Sequence, residues 1–259
     1  MDKRFNKFVF KRSKELSYVI GALLGDGQIK VEKNHYQYKV RLRVKDKEFA
    51  EKFAVCMQKI LQQKVPNKIF TELDRTRGNR RRFVASVSSK IFVKFLIRNK
   101  NNLLQFVRPY SKDFLQGFFD SEGFTGISTF GNFGVKVGLA NTNLSLLKKI
   151  NKILEEDFDI KSCIRMTMSK GTKVKIWGSS YECRKNVYQL MINKNEDVEK
   201  FCKRIGFNIL RKQEKLKEAL ILRKMNLANA SKIWKQNYMK IGREWVKRVD
   251  SGAFPEHSF

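Results

Sequence analysis

Two short segments of the 259-residue sequence carry an acid in the same unusual setting. Residues 16–27 read LSYVIGALLGDG and residues 112–123 read KDFLQGFFDSEG, so Gly21, Asp26 and Gly27 recur as Gly117, Glu122 and Gly123. Each segment describes an apolar helix that closes on an acid followed by glycine. The negative end of a helix dipole disfavours an anion there by a few tenths to about 1 kcal/mol, so the acid serves something other than helix stability. Gly27 and Gly123 suit left-handed caps that stop the helix and leave the acid projecting from its end. Gly21 and Gly25 share a helix face, as do Gly117 and Ser121, and each helix thereby gains a strip along which a second backbone can approach. Parallel packing along those strips brings Asp26 and Glu122 out together. Two adjacent carboxylates need a proton or a divalent cation between them, and Mg2+ held by carboxylates and water is suited to phosphodiester hydrolysis. Asp120 lies two residues from Glu122, about 200° around the helix, and is expected to point elsewhere.

The intervening sequence shows what positions these helices. Alternation predicts strands over 28–32 and 36–44, followed by a helix over 46–63 with Phe49, Phe53, Met57 and Ile60 on one face and Asp46 as N-cap. Strands over 67–73 and 81–87 flank a turn at 76–79, and a helix over 89–98 closes the unit. The order returns after the second motif, with strands over 125–130 and 135–139 and a helix over 143–158. A strand pair over 160–168 and 173–177 follows around Gly171, then an extended stretch over 186–192 and a helix over 196–205. The expected fold is α+β, with αββαββα repeats at 1–110 and 111–208 and a C-terminal helical extension at 209–259. Its first helix is expected over 210–225, with Trp234, Trp245 and Phe254 as packing anchors.

Lys+Arg 55 against Asp+Glu 25 gives a formal charge of +30, spread over both halves. A 42% apolar content with 21 Phe supplies a core, which excludes a disordered basic tail. Such a chain repels basic partners and draws in a polyanion, by counterion release if that polyanion is nucleic acid. No run reaches the ~18 apolar residues of a membrane span, and the N-terminal MDKRFNKFVFKRSKEL breaks its apolar run with Lys and Arg, unlike a signal peptide. The expected location is intracellular, with access to DNA. Cys56, Cys163, Cys183 and Cys202 are too widely spaced for a zinc knuckle or a disulfide framework and read as reduced packing thiols. With His35 and His257 as the two histidines, any catalytic metal is expected on carboxylates.

The segment YKVRLRV at 38–44 places Lys39, Arg41 and Arg43 on one face of a strand and Val40, Leu42 and Val44 on the other. Arginine there can donate to guanine, and Lys or Gln, such as Lys30 and Gln28, to other base edges. The basic tip RTRGNRRR supplies Arg75, Arg77, Arg80 and Arg82 for phosphates. Lys136, Lys161, Arg165, Lys173, Lys175 and Arg184 are their counterparts in the second half. Two such sheets end to end span about 50–60 Å, roughly 15–18 base pairs, and because the halves differ the target is expected to be asymmetric.

The segments IGALLGDG and QGFFDSEG resemble the two motifs of single-chain LAGLIDADG homing endonucleases, and the likeness extends over about residues 16–211. The resemblance implies two pseudo-symmetric units with antiparallel β-sheet saddles that lie in the DNA major groove, packed through the motif helices along Gly21, Gly25, Gly117 and Ser121. It implies that Asp26 and Glu122 bind the catalytic metals, with Gly25 and Ser121 also in the metal site, and that the ion is Mg2+, with Mn2+ or Ca2+ able to take its place. The activity implied is that of a monomeric, site-specific nuclease making a double-strand break in duplex DNA. A basic residue belongs at the base of the strands: Lys45 fits in the first repeat, while in the second the segment GLANTN offers Asn141, with Lys136 as a substitute. The Met1 start points to an intron-encoded protein rather than an intein-embedded one. Two other readings keep the fold: an RNA maturase that binds its host intron RNA, and a DNA-binding regulator without chemistry. The intact acids of both motifs favour the nuclease.

Overall fold

The computed structural model describes residues 10–32, 34, 36–74, 80–176, 179–242 and 244–248, and the chain divides into two compact units after Glu122. The first unit begins with α1 (Lys14–Gly25), capped by Ser13, whose hydroxyl accepts from Leu16 N at 3.1 Å. Then follow β1 (Gly27–Glu32), β2 (Gln37–Val44), α2 (Lys47–Ile60), β3 (Phe70–Asp74), β4 (Arg80–Ser88), α3 (Lys90–Arg98), a 3-10 turn at Leu103–Gln105 and α4 (Ser111–Glu122). The four strands form one antiparallel sheet in the order β1-β2-β4-β3. Alternation decides its buried side: Val40, Leu42 and Val44 turn inward with Ala85 and Val87, toward the layer that contains Phe49, Phe53 and Met57 of α2. Asp46 occupies the N-cap position of α2 without a side-chain capping bond. That helix stops at Ile60 rather than 63, because Gln62 takes a left-handed conformation (φ 53°) and Gln58 Nε2 donates to the carbonyl of Gln63.

Helices α1 and α4, both in the first unit, share the most extensive helix–helix contact. A Cβ on Gly21 would collide with the carbonyl oxygen of Phe114 and lie 2.8 Å from Phe118 N. One on Gly117 would collide with the carbonyl oxygen of Tyr18 and lie 3.1 Å from Ala22 N. Further along, Gly25 faces Ser121, so the contacts advance in the same direction on both helices and the pair is parallel. The expected left-handed caps are absent: Asp26 is the C-cap of α1 at φ −92°, ψ 2°, and Gly27 already opens β1. Glycine is needed at 27 for a different reason, since a Cβ there would collide with Leu23 Cα as the chain turns from helix to strand.

The second unit contains β5 (Gly123–Ser128), β6 (Gly134–Asn141), α5 (Leu144–Phe158), β7 (Cys163–Met168), β8 (Lys173–Ile176), β9 (Ser179–Glu182), β10 (Val187–Ile192) and α6 (Asn195–Arg204). Gly123 therefore opens a strand, as Gly27 does. The sheet order β5-β6-β10-β7 repeats that of the first unit, and the fold is α+β with two αββαββα repeats. One expected pairing does not form: β7 pairs with β10, and β8 pairs with β9 in a separate hairpin. Strand β10 brings Leu190, Met191 and Ile192 into the core, whereas β8 has exposed Lys173 and Lys175 and little to bury.

The C-terminal extension is not wholly helical. After α7 (Leu210–Arg223) and α8 (Leu227–Asn237) it ends in a hairpin of β11 (Tyr238–Ile241) and β12 (Glu244–Lys247). Trp234 is fully buried and stacks on Tyr238 at 3.9 Å, and Trp245 Nε1 donates to the carbonyl of Ile127 at 3.3 Å. Phe254, His35, His257, Trp177 and the turn at 76–79 lie outside the described residues. No helix among the described residues is long and apolar enough to cross a membrane. All four cysteines are free; Cys56 is buried, which pushes its thiol up to about 11, while Cys163 is exposed rather than packed.

Alanine at an exposed helical glycine stabilises by roughly 0.5–1 kcal/mol. The sign reverses here: Gly21→Ala and Gly117→Ala are each expected to destabilise by about 3 kcal/mol, read as a lower urea midpoint at unchanged slope.

Candidate active site

The glycine contact makes the last turns of α1 and α4 converge. A Cβ on Gly25 would lie 2.6 Å from Ser121 Cβ and 3.1 Å from Glu122 Cγ, and Asp26 is the next residue along α1. Asp26 is exposed and Glu122 half-buried, so two carboxylates leave the same end of one helix pair. Ser121 Oγ is buried beside Gly25 with no hydrogen-bond partner. Asp120 behaves differently: it is 2% exposed and accepts from Tyr18 Oη at 2.8 Å, tying α4 to α1. Burial first, and then the Asp120 charge, hold the Tyr18 phenol well above its ordinary range, so the bond keeps its proton.

The donor set is oxygen throughout, which suits a hard divalent cation. No group of three or more His, Cys, Asp or Glu able to hold a metal occurs among the described residues. Two carboxylates would leave most coordination positions to water and phosphate, as Mg2+ prefers. Gly25, without a side chain, has only its carbonyl to offer, and Ser121 its orphaned hydroxyl.

Strand register locates the expected cations. Gly27 pairs with Leu42 in the first sheet and Gly123 with Leu139 in the second. Lys45, exposed and directly after β2, thus stands at the sheet end where α1 enters β1. Equating Leu42 with Leu139 makes Thr142 its counterpart, not Asn141, whose Oδ1 accepts from Asn143 N at 2.9 Å. The same equation matches Lys136 with Lys39, on the open sheet face and away from that end. The loop between β5 and β6 is one residue longer than its equivalent, which displaced the sequence comparison by one position. A cation that the sequence did not single out, Lys212 of α7, donates to the carbonyl of Gly123 at 2.7 Å.

Gln28 pairs with Arg41 and Lys30 with Lys39, so four of the expected DNA-facing residues share one face of the first sheet with Arg43. Arg80 and Arg82 follow on β4 on that face, and Arg75 and Arg77 lie outside the described residues. Two acids that sequence reasoning missed, Glu72 and Asp74, stand among these arginines. In the second sheet Lys136 and Arg165 share the open face with Gln189, while Lys161, Lys173, Lys175 and Arg184 lie off the sheet on loops or the β8–β9 hairpin. Gly138 and Ala140 stand where the first sheet has Arg41 and Arg43, because the Phe124 ring and Met191 occupy the space beside Gly138.

Residues 109–206 match the LAGLIDADG-like domain. MJ0398, an uncharacterised protein of Methanocaldococcus jannaschii, is 36% identical over 219 residues, covering 83% of this chain and 76% of that protein. The chain belongs to the LAGLIDADG family. A second protein of the same organism, MJ0314, is 32% identical over 160 residues, 60% of this chain and 58% of its own length. Among solved structures the LAGLIDADG chain resembles the homing endonuclease I-DmoI in complex with DNA and Ca (TM-score 0.55, 19% identity, 79% of this chain and 97% of that one). It also resembles I-DmoI in complex with DNA and Mn (TM-score 0.52, 22% identity, 74% and 96%) and the homing endonuclease I-WcaI bound to its DNA recognition sequence (TM-score 0.53, 17% identity, 82% and 91%). At these identities the likeness establishes the fold.

Because Asp120 ties the two LAGLIDADG helices together, Tyr18→Phe is expected to lower stability by about 1–3 kcal/mol in urea denaturation while leaving Ca2+ affinity unchanged. A fall in Ca2+ affinity without loss of stability would instead make Asp120 part of the metal site.

Proposed function

We propose that this protein is a divalent-metal-dependent homing endonuclease that makes a double-strand break in a long, asymmetric DNA target. The observation that carries the reading is the convergence of Asp26 and Glu122 at one end of the α1–α4 pair, on a chain whose formal charge is +30. Acids so placed weaken both helix ends and electrostatic attraction to phosphate, and a shared cation removes both costs. The fold is shared with I-DmoI and I-WcaI, which were captured with DNA, and I-DmoI with Ca and with Mn.

In this reading Asp26 and Glu122 hold Mg2+, with Mn2+ or Ca2+ able to occupy the same place. Bound there, the ion would supply polarisation of a water for attack and of the leaving oxygen. Lys45 extends its ammonium toward the scissile phosphate and offsets the charge that develops there. Gln28, Lys30, Lys39, Arg41 and Arg43 orient the duplex from the first sheet, and Lys136 and Arg165 from the second. We infer a monomeric enzyme, because one chain carries both motifs.

Asp26→Asn and Glu122→Gln are each expected to abolish Mg2+-dependent cleavage of duplex carrying the uninterrupted allele of the gene's own locus, with DNA affinity held within about tenfold. Cleavage at an undiminished rate by either variant removes that acid from the site. Thr142 in place of a second lysine predicts unequal nicking. Lys45→Ala should slow the faster strand by tenfold or more, on the order of 2–4 kcal/mol of lost transition-state stabilisation, in a time course with each 5′ end labelled separately. Equal strand rates in the parent, unchanged by Lys45→Ala, would take Lys45 out of the mechanism.

A further inference from the structure

The open face of the first sheet is basic, yet its arginines are already engaged by acids. Arg41 Nη2 pairs with Glu72 Oε1, and Arg43 Nε lies 3.3 Å from Glu72 Oε2. Arg43 Nη1 and Arg82 Nε each lie 3.3 Å from the same oxygen of Asp74, Oδ2. An alternating array, Arg41–Glu72–Arg43–Asp74–Arg82, therefore runs across β2, β3 and β4. The inner end is fixed, since the Asp74 side chain is 5% exposed between two guanidinium groups. Its outer end is open: the Arg41 and Glu72 side chains are 31% and 35% exposed and line a shallow groove with Gln28, Lys30 and Lys39.

For simple attraction to phosphate this arrangement is counterproductive, because the acids repel the backbone and occupy the arginine donors. Base edges present a different pattern. In the major groove guanine offers the N7 and O6 acceptors, and its partner cytosine offers the N4 amino donor beside them. An arginine next to a glutamate is the complement of that pattern, whereas the adenine of an A·T pair gives the arginine a single N7 acceptor. At a G·C pair both members of the ion pair exchange each other for base contacts. At an A·T pair the adenine N6 amino group can still donate to Glu72, but the arginine fork loses the paired N7 and O6 acceptors of guanine, and that bidentate contact is what favours G·C.

We infer that Arg41 and Glu72 are a specificity-determining pair that reads one G·C base pair, Arg41 donating to guanine and Glu72 accepting from cytosine, while Asp74 holds Arg43 and Arg82 in place behind them. The inference rests on the proposed nuclease binding duplex DNA through this sheet. It is tested by Glu72→Gln, which keeps the size of a half-exposed side chain, with Arg41→Lys as a second variant that keeps the charge but loses the fork. Binding is read by fluorescence anisotropy in Ca2+ with a random-sequence duplex over a series of salt concentrations, and by selection of sites from randomised duplexes.

Glu72→Gln is expected to bind the random duplex about threefold or more tighter than the parent. Both variants are expected to relax a G·C preference at one target position by at least about fivefold. Random-duplex affinity that is unchanged or weaker in Glu72→Gln, or selected sites identical to those of the parent in both variants, overturns the pair. A parent protein that binds no duplex overturns the nuclease reading itself.

Discussion

The fold is organised around a contact in which two helices touch without side chains between them. Gly21 lies on the backbone of Phe114 to Phe118, and Gly117 on that of Tyr18 to Ala22. A glycine inside a helix costs about 1 kcal/mol in propensity, so each is a local sacrifice to tertiary packing. Close approach sets everything further along the pair. It lets Tyr18 reach Asp120, presses Gly25 on Ser121 and brings Glu122 beside the residue that precedes Asp26. Each motif helix then runs into the first strand of a four-stranded sheet with no intervening loop, so the placement of an acid and the origin of a sheet are one geometric fact.

Charge on this molecule is arranged against simple stability at two places. Asp26 and Glu122 stand at helix C-terminal ends, where the dipole opposes them. Glu72 and Asp74 withdraw arginines from solvent on the face otherwise suited to a polyanion. In the proposed nuclease the first arrangement is completed by cations and phosphate and the second by base edges.

Much of this was legible in the sequence because the signals are local. The glycine spacing of the motifs, the alternation in YKVRLRV and the apolar face of Phe49, Phe53 and Met57 each sit within one element, and the order of elements follows from them. What failed depends on long-range pairing. The partner of β7 is β10, beyond an inserted hairpin, and nothing near 163–168 encodes that distance. Thr142 rather than Asn141 matches Lys45 because one extra residue lies in a loop, visible once register is known. Glu72 and Asp74 carry no local mark of their role, because their arginine partners come from other strands. Gly27 was recognised as necessary but for the wrong reason: contact with Leu23 requires it, not a positive φ.

The central claim, that the acids of α1 and α4 hold one divalent-metal centre, is tested most directly by mapping where the ion sits on the polypeptide. Fe2+ bound in place of Mg2+ to the protein–DNA complex generates hydroxyl radicals with ascorbate and peroxide, and the backbone is cut next to the metal. Cuts confined to residues 25–27 and 121–123, and suppressed by excess Mg2+, are the expected result. Cuts at one motif alone, or at sites elsewhere that Mg2+ does not suppress, would contradict a shared centre.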